Sequence, residues 1–93
     1  MILAFIPPHR LDRVTRALEH VEGFPGMSVS EARGFGHEKL SSSRDVRDQL
    51  KDFTDAARVE CVVPDSMAQE VIEAVRSATH TGARGDGKLF VLP

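Results

Sequence analysis

The stretch Ile2–Ile6 (ILAFI), followed at once by Pro7 and Pro8, determines how the remaining sequence is interpreted. It is short, apolar at every position and stopped by two prolines, so it predicts a strand buried on both faces rather than a helix. Apolar residues then recur at helical spacing, with charged residues between them, at Leu11, Val14, Leu18 and Val21. The sequence therefore opens with a central strand and an amphipathic helix.

The second half of the sequence has a similar order of elements. Residues 58–63 (RVECVV) form a β-branched run that ends at Pro64, which predicts a strand. Asp65 or Ser66 is expected to cap the following helix, because Ser66 with Gln69 has the form of a capping box. The apolar face of that helix would consist of Met67, Val71, Ala74, Val75 and Ala78.

Two further strands complete the pattern, at residues 27–34, which alternate with period two, and at residues 88–92 (KLFVL). The resulting order, β-α-β-β-α-β with a long central loop, predicts an α+β fold of the ferredoxin-like type. In that fold a four-stranded antiparallel sheet carries two helices on one side. One sheet face would remain open, with too few polar residues to cover it, so we expect a homo-oligomer that packs sheets together.

Length and composition limit the classes of protein that this chain can represent. Its 93 residues are expected to form a single domain over residues 1–93. The formal net charge of −2 and the absence of Trp and Tyr argue against nucleic acid as the main partner. No apolar run approaches the roughly 20 residues of a membrane span, and the N-terminal run lacks the features of a signal peptide. We therefore expect a cytoplasmic protein without direct membrane insertion, and a single cysteine excludes an internal disulfide.

The sequence contains little that indicates catalysis. It has no paired carboxylates in an apolar context, no nucleophile elbow and no compelling order of Ser, His and Asp. A non-enzymatic protein is therefore expected.

The central loop is the most informative local feature. Residues 37–55 make a 19-residue polar excursion, which is uncommon in so small a domain and is usually functional or disordered. Val46, Leu50 and Phe53 are spaced i, i+4, i+7 within it, which is consistent with a short amphipathic helix. This apolar stripe is a candidate surface for binding a target, although the mixed charges around it are also typical of a solvated face.

Several motifs in a fixed order resemble the nitrogen-regulatory P-II signalling proteins. They are PPHRLDRV at residues 7–14, GMSVSE at residues 26–31, Gly34-Phe35-Gly36, VVPD at residues 62–65 and TGARGDGKLFV at residues 81–91. The resemblance covers essentially the whole chain. It implies a compact trimer of ferredoxin-like subunits that binds ATP or ADP in the clefts between subunits. It also implies that residues 37–55 are a T-loop, which contacts a regulated enzyme or transporter, and that residues 81–88 are a phosphate-binding B-loop.

The nucleotide site implied by this resemblance has two walls. The B-loop of one subunit would supply Gly82, Arg84, Gly85, Asp86, Gly87 and Lys88. The facing wall would be lined by Ser28, Gly34, Phe35, Gly36, His37, Glu38, Arg58 and Val62. The B-loop glycines would donate backbone N–H groups to phosphates, and Lys88 with Arg84 would neutralise their charge. Ser28 and Val62 would border the adenine.

The sequence departs from the family pattern at positions that usually contact the ligand. His37-Glu38 stands where typical members have Arg-Gln, and the lysines at the T-loop base and in the B-loop are replaced by Ala56 and Ala83. The family's C-terminal arginines have no counterpart in the sequence up to Pro93. Each charge-assisted contact contributes roughly 1.5–3 kcal/mol. We therefore expect nucleotide binding that is weakened, shifted towards ADP or AMP, or lost, together with absent sensing of 2-oxoglutarate.

His37 and Glu38 also support an alternative hypothesis. Adjacent nitrogen and oxygen donors near a cleft could bind Zn²⁺, Cu²⁺ or Ni²⁺. The chain would then be a metal-responsive module, PII-like or CutA-like, associated with a metal efflux system. Two donors do not complete a site, so further ligands would have to come from elsewhere, for example from Asp45, Asp48 or a second subunit.

Overall fold

A single antiparallel sheet of four strands carries two helices on one face. The computed structural model describes residues 1–35, 54–82 and 87–93. The elements in chain order are β1 (Ile2–Ile6), a 3₁₀ turn (Pro8–Arg10), α1 (Leu11–Glu19), β2 (Ser28–Gly34), β3 (Thr54–Cys61), α2 (Asp65–Thr79) and β4 (Lys88–Val91). The strand order in the sheet is β2-β3-β1-β4. This order and the two helices confirm the predicted α+β, ferredoxin-like βαββαβ fold.

The register of β1 determines the geometry of the sheet. Ile2 lies opposite Cys61 of β3 and Val91 of β4, and Phe5 lies opposite Arg58 and Lys88. Ile2–Ile6 is therefore the central strand that its apolar sequence predicts, since its backbone bonds to a neighbour on each side.

The core lies between the sheet and the two helices. The sheet contributes alternate residues of β1 and β3, which are Ile2, Ala4, Ile6, Ala57, Val59 and Cys61. The helices contribute Val14, Leu18, Val71 and Val75, all of which are buried. Side chains in a strand alternate between faces, so the pattern of burial along β1 and β3 shows that this face is the one the helices cover.

The start of α2 differs from the sequence prediction. Pro64 occupies the N-cap position, and neither Asp65 nor Ser66 makes a capping hydrogen bond with its side chain. The Met67 N–H donates to the Pro64 carbonyl at 2.9 Å, and the Gln69 side chain donates to Glu73 at 3.2 Å. The predicted capping box is therefore wrong: with Pro64 at the N-cap, Ser66 and Gln69 are the second and fifth residues of the helix, whereas a capping box needs the N-cap residue and the third residue.

Several element boundaries also differ from the predicted ones. β3 begins at Thr54 and ends at Cys61, so Thr54 and Asp55 belong to the sheet and the central excursion ends before them. Val62 and Val63 follow the strand, although their β-branched side chains extend the strand pattern in the sequence. The helical face of α2 includes the buried Thr79, whose hydroxyl donates to the Val75 carbonyl at 2.9 Å. That hydrogen bond allows a polar side chain to occupy an apolar position.

The face of the sheet opposite the helices has an apolar half and a polar half. By strand alternation, β1 and β4 place Leu3, Phe5 and Phe90 on this open face. The rings of Phe5 and Phe90 meet edge to face with centroids 6.5 Å apart, and Phe90 remains 47% exposed. The polar half is formed by β2 and β3 and consists of Ser28, Ser30, Arg58 and Glu60.

The two helices in the described part of the chain are amphipathic, and their apolar faces pack in the core. Neither is long and apolar enough to cross a lipid bilayer.

Replacing Val71 with alanine tests the assignment of the core. Val71 is 0% exposed, so Val71→Ala removes two buried methyl groups and leaves a cavity. We expect the free energy of unfolding to fall by about 2 kcal/mol, measured by urea denaturation at one fixed protein concentration. Val62→Ala is the matched control, because Val62 is 71% exposed and its truncation should change stability by less than about 0.5 kcal/mol. Equal losses in the two variants would contradict this core.

Candidate functional site

The two ends of the predicted B-loop are held by glycines with positive φ. Gly82 has φ +83° and Gly87 has φ +129°, conformations that side chains with a Cβ rarely adopt. A Cβ on Gly87 would lie 2.5 Å from the Phe5 carbonyl oxygen, whereas a Cβ on Gly82 would meet nothing within 4 Å. The loop therefore returns to the sheet in direct contact with the backbone of β1. The other predicted B-loop residues, Arg84, Gly85 and Asp86, lie outside the described residues.

Lys88 and Arg58 lie in one row of the sheet. Lys88 is the first residue of β4 and faces Phe5 of β1, which in turn faces Arg58 of β3. Alternation places all three side chains on the open face, with the two cations on either side of the Phe5 ring. Two strand spacings correspond to roughly 10 Å between the Cα atoms. The sequence analysis assigned these cations to different walls, whereas the register places them side by side in one chain.

The remaining residues of the predicted facing wall are separated from each other. Ser28 lies opposite Glu60, at the end of the sheet where Val62 follows β3. Gly34 lies opposite Thr54, at the other end of β2, and the exposed Phe35 follows it. The six residue steps from Ser28 to Gly34 correspond to roughly 20 Å along an extended strand. Gly36, His37 and Glu38 lie outside the described residues.

An ion pair on the open face was not predicted from the sequence. The Arg58 Nη2 atom lies 3.0 Å from the Glu60 Oε1 atom, and the two side chains are 42% and 33% exposed. The Arg58 Nε atom is buried and has no hydrogen-bond partner within the described ranges. The signal that would have identified the pair is the i, i+2 spacing of opposite charges on a strand, which places both on one face.

A cavity of about 230 Å³ lies between the last turn of α2 and the start of β4. Its lining consists of Ile6, Val75, Arg76, Thr79, His80, Gly87, Lys88 and Leu89. Arg76, Thr79 and His80 were not predicted, although their i, i+3, i+4 spacing places them on one helical face. The cavity adjoins Gly87 and Lys88, so it borders the predicted phosphate loop.

The predicted T-loop lies largely outside the described residues, including the predicted contact residues Val46, Leu50 and Phe53. The structure describes its base, where Gly34 pairs with Thr54 and Arg33 pairs with Asp55. The side chains of Arg33 and Asp55 are 76% and 84% exposed and lie 4.0 Å apart, so this ion pair contributes little to stability. The base is thus a two-stranded ribbon whose order comes from backbone hydrogen bonds.

The metal hypothesis rests on residues that the structure does not describe. His37 and Glu38, and also Asp45 and Asp48, fall in the range 36–53. Within the described ranges, no three or more His, Cys, Asp or Glu side chains form a group that could hold a metal ion. Cys61 is buried, and burial raises the pKa of its thiol, which disfavours the nucleophilic thiolate.

Comparison with known proteins matches residues 1–93 to the family described as "Nitrogen regulatory protein P-II". A protein of that name from Azospirillum brasilense is 42% identical over 93 residues, which are 99% of this chain and 82% of the relative. The namesake from Rhizobium meliloti (strain 1021) is 44% identical over 91 residues, 97% of this chain and 80% of the relative. A protein of the same name from Nostoc punctiforme is 40% identical over 91 residues, which are 97% of this chain and 80% of the relative.

Substitution of Gly87 tests how the phosphate loop is attached to the sheet. In Gly87→Ala the new Cβ meets the β1 backbone, which a side-chain movement cannot relieve. We expect the free energy of unfolding to fall by at least about 3 kcal/mol in chemical denaturation. Gly82→Ala is the control, because it has the strained φ without the contact and should lose only about 1–2 kcal/mol. A loss at Gly87 no larger than at Gly82 would contradict the close approach.

Proposed function

This chain belongs to the nitrogen regulatory protein P-II family, and we propose that it binds an adenine nucleotide in a cleft between two copies of itself. The family makes the chain a nitrogen-signalling regulator, and P-II proteins are regulators of other proteins rather than enzymes. Its members generally bind adenine nucleotides. The proposed ligand is therefore ADP, ATP or AMP, and the proposed output is control of a target enzyme or transporter through the T-loop.

The observation that carries this proposal is the distance within one chain between Lys88 of the first wall and Ser28 and Gly34 of the facing wall. Lys88 shares a sheet row with Ser30, whereas Ser28 lies two residues and Gly34 four residues from that row along β2. With three strand spacings across the sheet, Lys88 is roughly 15 Å from Ser28 and roughly 20 Å from Gly34. Within one chain these residues lie on one open face of the sheet and do not enclose a ligand from two sides. A second copy supplies the wall that the first lacks.

The charges near the phosphate loop favour a nucleotide with few phosphates. Lys88 and Arg58 are the described cations in the row beside Gly87, and Ala56 and Ala83 remove two that are typical of the family. Fewer cations neutralise fewer phosphate charges, so ADP or AMP matches the site better than ATP does. Glu38, which the resemblance assigns to the facing wall, would repel the dicarboxylate 2-oxoglutarate.

A homotrimer is the proposed assembly, and the open face is its proposed contact surface. Leu3, Phe5 and Phe90 form an apolar cluster that neither helix covers. A chain of 93 residues buries a smaller fraction of its surface on folding than a larger domain does, so covering this cluster adds apolar burial that one chain cannot provide. The trimer would at the same time create the clefts between copies.

Control of a target is proposed for the central loop. The ribbon formed by Gly34 and Thr54 holds the two ends of the segment together. Val46, Leu50 and Phe53 would supply the apolar contacts to an enzyme or transporter, and ligand in the cleft would act on the loop through its base at Gly34 and Phe35.

Lys88 is the first residue to test for nucleotide binding. Lys88→Gln keeps a flexible polar side chain, one atom shorter, but removes the charge, so we expect the affinity for ADP to fall at least about tenfold in isothermal titration. Arg33→Gln is the control, because it removes an exposed cation from the other face of the sheet and should leave the affinity unchanged. Addition of 2-oxoglutarate should not tighten binding. A wild-type protein that binds no adenine nucleotide would contradict the proposal.

Phe90 tests the proposed trimer contact. Sedimentation of the wild type should give about three times the 10.2 kDa mass of one chain. Phe90→Glu places a charge in the apolar half of the open face, so its species should be monomeric at micromolar concentration. Val91→Glu is the matched control, since Val91 is its neighbour, is 56% exposed and points to the opposite face. If both variants dissociated to the same extent, the contact between copies would not lie on the open face.

A further inference from the structure

We infer that the cavity beside the last turn of α2 is a binding site for an α-amino acid with an aliphatic side chain. This cavity of about 230 Å³ lies between that turn and the first residues of β4. The inference goes beyond the proposed nucleotide site and does not depend on it, because the two sites lie on different faces of the sheet. It assigns a second small ligand to the same chain.

The register of β4 separates this cavity from the proposed nucleotide contacts. Leu89 lines the cavity and lies opposite Ala4 of β1, which is 1% exposed in the core. Leu89 therefore points to the side of the sheet that the helices cover. Phe5 and the side chain of Lys88 point to the open face by the same alternation. The sheet thus lies between a ligand in this cavity and a nucleotide on the open face.

The floor of the cavity is apolar. Ile6 and Val75 are 2% and 3% exposed, and Leu89 packs against the same core cluster. An apolar cavity of roughly 150 Å³ holds benzene, which corresponds to roughly 25 Å³ for each non-hydrogen atom. At that density this cavity admits about nine such atoms, the number in leucine. An aliphatic side chain on this floor would leave water and add apolar burial.

The opening of the cavity combines a cation with the negative end of a helix. Arg76 contacts the Glu73 carboxylate through Nη1 at 3.4 Å, and the two side chains are 69% and 53% exposed. An exposed pair of this kind is weak, so the guanidinium has further N–H donors for a ligand carboxylate. The helix α2 has 15 residues and ends at Thr79, which places the negative end of its dipole at the same opening.

Thr79 adds a hydrogen-bond acceptor to the lining. Its hydroxyl donates to the Val75 carbonyl at 2.9 Å, so the proton is already used and the oxygen can act towards a ligand as an acceptor. Thr79 is 8% exposed, and a donor reaches this oxygen by entering the cavity. An ammonium group is a donor that suits both the hydroxyl oxygen and the negative end of α2.

A ligand with both charges matches this lining better than an ion of either sign does. A carboxylate alone would meet the negative end of α2, and an ammonium alone would meet the Arg76 guanidinium. An α-amino acid carries both groups on one carbon atom and directs its side chain along a third bond. Its carboxylate would pair with Arg76, its ammonium would donate at Thr79, and its side chain would cover the apolar floor.

Isothermal titration of the wild type with L-leucine, without nucleotide, tests the inference. We expect a dissociation constant below about 1 mM. Three related probes each lack one of the recognised groups: 4-methylpentanoate lacks the ammonium, L-leucinamide lacks the carboxylate and glycine lacks the side chain. Each should bind at least about tenfold more weakly than L-leucine.

Variants of the lining locate the site. Arg76→Gln removes the guanidinium from an exposed position and should weaken L-leucine binding at least about tenfold. Leu89→Phe fills part of the cavity and should weaken binding by a similar factor. Glu73→Gln removes the competing carboxylate, so it should bind at least as tightly as the wild type. Arg16→Gln is the matched control, because it removes an exposed arginine of α1 that does not line the cavity.

The outcomes decide the inference independently of the nucleotide proposal. Absence of saturable L-leucine binding up to about 10 mM overturns it. Equal binding of any of the three probes also overturns it, as does unchanged affinity in Arg76→Gln or an equal loss in Arg16→Gln. Circular dichroism establishes that each variant is folded, and the probe series on the wild type still decides if Leu89→Phe unfolds. A wild type that binds L-leucine in the expected pattern but no ADP supports this inference while contradicting the nucleotide proposal.

Discussion

The pairing of β1 with β3 and β4 at the same time is the constraint on which the rest of the structure depends. Because Ile2–Ile6 lies between two neighbours, its alternation decides which side chains of all three strands face the helices. Shifting the register by one residue would exchange the faces and expose the residues that now form the core. The same alternation places Leu3 and Phe5 on the face that the helices leave open. One register therefore accounts both for the core and for the apolar side chains on the open face.

The proposed ligand site depends on the same strand. Gly87 approaches the Phe5 carbonyl so closely that a Cβ would not fit, which fixes the end of the phosphate loop against β1. The row through Phe5 also places Lys88 and Arg58 on either side of one ring. In the proposed trimer, a ligand site between copies requires these groups on the open face rather than in the core. The register of β1 places them there.

The architecture was predictable from sequence because it depends on short patterns. The apolar run ILAFI, the helical spacing of Val14 and Leu18 and the β-branched run around Val59 each indicated one element, and all three were found. Boundaries were less predictable: Val62 and Val63 extend the strand pattern but lie beyond Cys61, and Pro64 rather than Asp65 or Ser66 occupies the N-cap position. The β-propensity of the side chains indicates where a strand can form. The last residue of the strand, however, depends on where the neighbouring strand stops supplying backbone hydrogen bonds.

By itself the sequence determined the order of the elements, the ferredoxin-like fold and the P-II family, because periodicity and motif spacing are local properties of the chain. Only the tertiary structure decided that Arg58 shares a row with Lys88 and pairs with Glu60, and that Ser28 and Gly34 lie at opposite ends of one strand. These relations depend on the register between strands that are distant in sequence. Register results from the simultaneous packing of two helices and three strand pairs, and no single segment of the sequence contains that information.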